Sequence, residues 1–146
     1  KAFIKSANKI KKIISLNLTI DEEYYKNSFY RLSSLPKNLS IKNHGILNKK
    51  DLNKLYSESE FLIFPSLNES FGLPLIESIN FKCKVIASDL KYVHDIISPS
   101  LLFDPKSDES ISKSIIYAIK NDNIKESKLL VENKIDTFVK NILINV

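Results

Sequence analysis

The chain has no tryptophan, no methionine, one cysteine and only two glycines among its 146 residues. A lone cysteine excludes an intramolecular disulfide framework, so the fold must be held by apolar packing. Cys83 reads as a small buried apolar residue of a reducing compartment. The two histidines, His44 and His94, have no metal-ligand spacing around them, which gives no metal site and leaves solvated or capping roles. No run is long and apolar enough to span a bilayer, and the first residues do not read as a signal peptide, so the expected setting is the cytoplasm. No internal repeat or low-complexity segment is present.

Charge is uneven. The net charge is +5, but residues 1–50 carry 11 Lys or Arg against 3 Asp or Glu, while residues 51–146 carry 11 against 14. Lys5, Lys9 and Lys12 fall on the polar side of a helical pattern whose apolar positions are Ile4, Ala7, Ile10 and Ile14. A solvated face is the default reading; phosphate and an anionic membrane surface are the other candidate partners, the latter placing the protein peripherally at the inner membrane. The aromatic residues are not interleaved with the basic ones as a stacking platform requires, so nucleic acid is not an expected partner.

With 43% apolar residues, a chain of this length can bury about two-thirds of its unfolded surface. Periodicity predicts a helix over 1–14, a strand over 16–20, a helix over 22–35, a strand over 40–43 and a helix over 49–58. A strand over 61–64, a helix opened by Pro74, a strand over 85–87 and a short helix over 92–97 follow. The pattern closes with a strand over 101–103, a helix over 108–120 and a final helix over 124–142. Such alternation implies an α/β domain over 1–146, a Rossmann-like parallel sheet with helices on both faces.

One stretch carries chemistry. The apolar run FLIFPS (61–66) leads into a polar loop with Glu69 and Ser70, then Phe71, Gly72, Leu73 and a helix holding Glu77. Pro74 suits the first helical position, and the N–H groups of a helix start carry about half a positive charge, so the turn can hold an anion. Gly72 allows close backbone approach by a ligand, and Phe71 can wall off water. Glu69 at the loop mouth and Glu77 one turn into the helix would face one crevice at the C-terminal end of the strands, where open α/β sheets bind ligands. A glutamate in a first helical turn is also favoured by the dipole alone, by about 0.3–1 kcal/mol, so neither acid is diagnostic singly. A carboxylate accepts sugar hydroxyls through charge-assisted hydrogen bonds. Glycoside hydrolysis needs its carboxylates on opposite sides of the scissile bond, whereas these two share one loop and helix.

These residues resemble the signature of GT4-type retaining glycosyltransferases of GT-B fold, whose donor-binding domain carries two glutamates separated by seven intervening residues. The resemblance runs from NHGILNKKDLNKLYSESEFLIFPS through ESFGLPLIES to KVIASD, Asp95 and LLFDPKSDESI. It implies that Glu77 holds the ribose hydroxyls and that Glu69, as the catalytic-site acid, meets the transferred sugar. It further implies that Ser70, Phe71, Gly72 and Leu73 contact sugar and diphosphate, and that Leu47 lies along the base. The implied substrate is a nucleoside diphosphate sugar, with no cofactor and no metal. The implied partner is an N-terminal acceptor-binding domain of a longer parent chain, in bacterial polysaccharide or lipid-linked glycan assembly. On that pattern the chain is the N-terminally truncated C-terminal half of the fold, without its first strand and the loop that supplies an Arg and a Lys to the diphosphate; alone it would not turn over. The family's usual Gly and Pro are Lys82 and Lys84 here, which predicts a differently built corner, and its glutamate is Asp95, a shorter acid expected to cap its local helix. The competing reading is an inactive Rossmann-like nucleotide-binding or structural module.

Overall fold

The protein is described here by a computed structural model, which describes residues 1–29 and 35–131. The elements run α1 (Ala2–Ala7), β1 (Ile14–Leu18), α2 (Glu22–Phe29), β2 (Leu39–Asn43), α3 (Lys49–Ser57), β3 (Phe61–Phe64), α4 (Leu73–Asn80) and β4 (Lys84–Ser88). They continue α5 (Lys91–Ile96), β5 (Ile97–Ser98), β6 (Leu101–Phe103), α6 (Asp108–Lys120) and β7 (Lys128–Leu129). The α/β alternation is as the sequence predicts, and every ladder except the short β5–β7 pair is parallel.

The core is built about β4, because a strand with neighbours on both edges and layers on both faces has no polar side to show. β4 pairs with β3 on one edge and β6 on the other, and Val85, Ile86 and Ala87 are all at most 1% exposed. Period-two alternation sorts the side chains. Val85 and Ala87 join Leu62 and Phe64 of β3 against Leu75 of α4 and Val93 of α5. Ile86 joins Phe61 and Ile63 on the opposite face, against Phe103, Ala118 and Ile111. The amphipathic helix α6 supplies that second layer, with Ser107 capping its first turn by accepting the Ser110 N–H. Helix α1 packs on α6, tied to it by the buried Ser6–Ser112 hydroxyl pair at 3.0 Å.

β1 and β2 form a separate parallel ladder, and among the described residues no strand lies on the remaining edge of either β1 or β3. The sheet therefore comes in two pieces whose free edges border one cavity.

Four expectations are corrected. The first helix stops at Ala7 rather than residue 14, because the Asn38 side-chain amide donates to the carbonyls of Ala7 (2.9 Å) and Ile10 (2.7 Å), capturing the helix end from a loop far along the chain. Ile10 and Ile14 are nevertheless buried with Ala7 and Leu39, so the apolar spacing marked core positions correctly while misassigning their backbone. The strand that follows accordingly starts at Ile14 rather than residue 16.

The second concerns residues 124–131, which are not helical. Lys128–Leu129 pairs antiparallel with Ile97–Ser98, and the Ser127 hydroxyl accepts the N–H groups of Val85 and Ser100, both at 2.9 Å. The remainder of the expected final helix lies outside the described residues, as does 30–34 of the expected helix over 22–35.

The third is the corner after α4, which does keep the left-handed turn despite lacking glycine. Lys82 has φ +61°, the Cys83 N–H bonds the Ser78 carbonyl and the Lys82 N–H bonds that of Ile79, the paired pattern of a Schellman cap. Cys83 is buried, as expected, behind that cap. The fourth is Asp95, which sits in the last turn of α5 and, rather than capping it, accepts from Lys91 one turn back.

Candidate functional site

A cavity of about 1200 Å³ opens between β1 and β3. Every residue from 14 to 20 and from 61 to 65 lines it. A strand's face shows only alternate residues, so consecutive lining residues mean that both strands present edges to this space. Apolar side chains of α1 and α6, including Ile4 and Ile115, and of α3, including Leu52 and Leu55, also line it.

At the C-terminal end of β3 the cavity is lined by Glu69, Phe71, Leu73, Pro74 and Glu77. The two glutamates thus meet one space, as their spacing predicts. The intervening helix begins at Leu73 with Gly72 as its cap, so Pro74 falls one position further in than expected, where its missing N–H is still no loss. The Leu75 N–H already donates to the Gly72 carbonyl at 2.9 Å, which removes one of the amides that a bare helix start offers an anion.

Gly72 is required for an internal reason. Its φ of +61° disfavours any side chain, and a Cβ there would stand 2.7 Å from Ile96 Cδ1 of α5 and 3.2 Å from Leu75 Cδ1. The added atom would meet the protein's own core, so the glycine fastens the loop to α5, a different demand from the ligand approach inferred from sequence. Phe71 and Leu73 flank it with 76% and 58% of their surfaces exposed, apolar groups held out at the cavity mouth.

Glu69 is half-buried, and its Oε1 accepts the Ser70 N–H at 3.2 Å. Its charge reaches Tyr92 of α5, whose pKa is pushed up by burial first and, to a smaller extent, by Glu69, while the side chains of Ser66 and Ser88 work in the other direction; the Tyr92 hydroxyl donates to the Ser66 carbonyl at 2.8 Å. Glu77 is likewise half-buried, with a side chain 22% exposed, and the Lys49 ammonium of α3 bonds its Oε1. Tyr56, also from α3, is pushed up to about 12 by burial first and then by the Glu77 carboxylate, with a smaller effect of Cys83.

The remaining candidates are less closely placed. Ser70 is exposed beside Glu69, and Leu47 is half-buried in the turn between Gly45 and the Asn48 cap of α3; neither lines the cavity. His44 bonds Asn17 at 2.9 Å and His94 bonds Asp89 at 2.7 Å. Among the described residues no group of three His, Cys, Asp or Glu is arranged to hold a metal ion, and no helix is long and apolar enough to cross a membrane.

Sequence reasoning missed Lys49, Tyr56 and Tyr92. The only local signal was the cap at Asn48, which fixes where α3 begins and so where Lys49 projects.

Comparison with known proteins gives a family and several relatives. The family described as "Glycosyl transferases group 1" matches residues 1–137. The chain is 38% identical over 71 residues to the O-antigen chain mannosyltransferase RfbU of Salmonella typhimurium, covering 49% of this chain and 19% of that protein. It is 28% identical over 83 residues to the O-antigen chain mannosyltransferase B of Escherichia coli, covering 56% and 22% respectively. The serotype-specific mannosyltransferase WbdA of Escherichia coli is 29% identical over 76 residues, 51% of this chain and 9% of that protein. The matches thus span between 9% and 22% of the length of these relatives.

Proposed function

Because the chain belongs to the group 1 glycosyl transferases, we propose that it is the donor-binding half of an enzyme that moves a sugar from a nucleoside diphosphate sugar to an acceptor with retention of configuration. The observation that carries this reading is the placement of Glu69 and Glu77 on one cavity at the C-terminal end of β3, with the start of α4 between them. Glu77, one turn into α4, accepts the ribose hydroxyls; Glu69, in the loop before that helix, accepts hydroxyls of the transferred sugar. Charge developing on the departing diphosphate is met by the helix start and by basic side chains, and the scheme calls for no metal. Phe71 and Leu73 cover the mouth and exclude water from the reacting bond. Ser70 lies beside the sugar and Leu47 along the base.

The relatives are named as mannosyltransferases of O-antigen chains, which favours a mannosyl donor and a growing surface polysaccharide as acceptor. Acceptor binding belongs to a further domain of a longer parent chain, at the cytoplasmic side of the membrane, and this chain alone does not turn over. The two strand edges facing one cavity fit a seat for one more parallel strand between β1 and β3. Buried on both faces, such a strand would be a continuous apolar run, and the loop after it would emerge beside the two glutamates.

The test is a calorimetric titration of UDP, GDP and ADP into the chain and its Glu77→Ala variant, both first shown to be folded by circular dichroism. Saturable binding of one nucleotide, lost in the variant, is expected. Binding that ignores the substitution, or no binding at all, would favour an inactive structural module.

A further inference from the structure

Lys49 is the first residue of α3, set directly after the Asn48 cap, and its ammonium crosses to α4 to bond Oε1 of Glu77. The two ends are unequal. The Lys49 side chain is 65% exposed, whereas that of Glu77 is 22% exposed, so the lysine meets an acid already withdrawn from water. Two turns further along α3, Tyr56 approaches the same carboxylate and stacks on Phe81, the cap residue of α4, with ring centroids 6.4 Å apart. One helix thus sends two side chains to one carboxylate on its neighbour, and the start of α3 is fixed by its own cap, in which Asn48 accepts the Asp51 N–H at 3.0 Å.

We infer that Lys49 is a positioning residue for donor binding: by taking Oε1 of Glu77 it turns the other carboxylate oxygen to the ribose hydroxyls of the nucleotide. This rests on the reading of Glu77 as the ribose acceptor. A carboxylate has about four lone-pair positions, so one bond to lysine leaves room for two hydroxyls. A lysine lacks any acceptor and cannot itself satisfy those hydroxyls' donors, so it acts through the acid. When the nucleotide covers Glu77 and removes its remaining water, the adjacent ammonium offsets that loss. Its mostly exposed position lets it be replaced without opening a cavity.

The experiment is a titration of the wild-type chain and its Lys49→Met, Lys49→Arg and Glu77→Gln variants. The probes are UDP, GDP and ADP, and the 2′,3′-dideoxy form of whichever binds. Lys49→Met is expected to weaken the ribonucleotide about 10-fold, the order of one charge-assisted hydrogen bond, to leave the dideoxynucleotide unchanged, and to be largely rescued by Lys49→Arg. Equal weakening of both nucleotides would show a merely structural contact and overturn the inference. So would Lys49→Met binding the ribonucleotide as well as or better than wild type while Glu77→Gln loses it, which would leave the donor-site reading standing. Absence of nucleotide binding by wild type, or a Glu77→Gln variant equal to it, would remove that reading and this inference together.

Discussion

A Cβ placed on Gly72 would stand 2.7 Å from Cδ1 of Ile96, so the loop carrying the site and helix α5 are fitted together through the absence of a single atom. Gly72→Ala should cost about 1–2 kcal/mol from the left-handed backbone alone, before the contact with Ile96 is relieved. Thermal unfolding would register this as a drop of several degrees. Ile96→Val removes the atom that is met, so Gly72→Ala with Ile96→Val should cost less than the sum of the two single changes. Strict additivity in that cycle would mean that the contact is not what selects glycine.

The corner after α4 carries the opposite opportunity. Lys82 occupies a left-handed Schellman position, with φ +61°, where glycine is the unstrained residue. Lys82→Gly should therefore stabilise the fold by roughly 0.5–1 kcal/mol, read as a higher denaturant midpoint at unchanged slope. An unchanged or lower midpoint would show that the lysine's own contacts outweigh the strain.

Ser127, directly before β7, links that strand to the central strand β4. Its hydroxyl accepts the N–H groups of Val85 and Ser100. Ser127→Ala leaves the Ser100 N–H its bond to the Val85 carbonyl but orphans the buried Val85 N–H, and should destabilise by about 1–3 kcal/mol, whereas a merely peripheral strap would give less than about 0.5.

Cys83 is 2% exposed, and its thiol is pushed up to about 11, by burial first and then by the Glu60 charge. The thiolate is the reactive form, so alkylation by iodoacetamide at pH 8 should be far slower in the native chain than in denaturant, and should rise as pH approaches 11. A native rate equal to the denatured one would place Cys83 at the surface.

Much of this architecture was legible because it rests on local patterns. The strands over 61–64 and 101–103 and the helix over 108–120 were predicted with the bounds observed, since each is a short apolar run or an amphipathic segment with clear flanking signals. What was not legible depends on partners distant in sequence. Asn38 ends α1 from a loop 31 residues beyond Ala7, and Ser127 draws 127–130 into extended structure from 42 residues beyond Val85. Glu69 and Glu77 could be read because one turn holds both, whereas Lys49 lies 28 residues before Glu77 and meets it only once α3 packs on α4. At Gly72 the sequence suggested close approach by a ligand, and the fit against Ile96 was not legible because Ile96 lies on α5, beyond both α4 and β4 along the chain.

The most direct test of the two glutamates as donor ligands compares a nucleoside diphosphate with its mannose conjugate in calorimetric titrations of wild type, Glu69→Ala and Glu77→Ala. Glu77→Ala should weaken both ligands alike, whereas Glu69→Ala should weaken only the sugar conjugate and leave the bare nucleotide unchanged. Equal affinities across all three proteins would contradict the assignment of these glutamates to the donor.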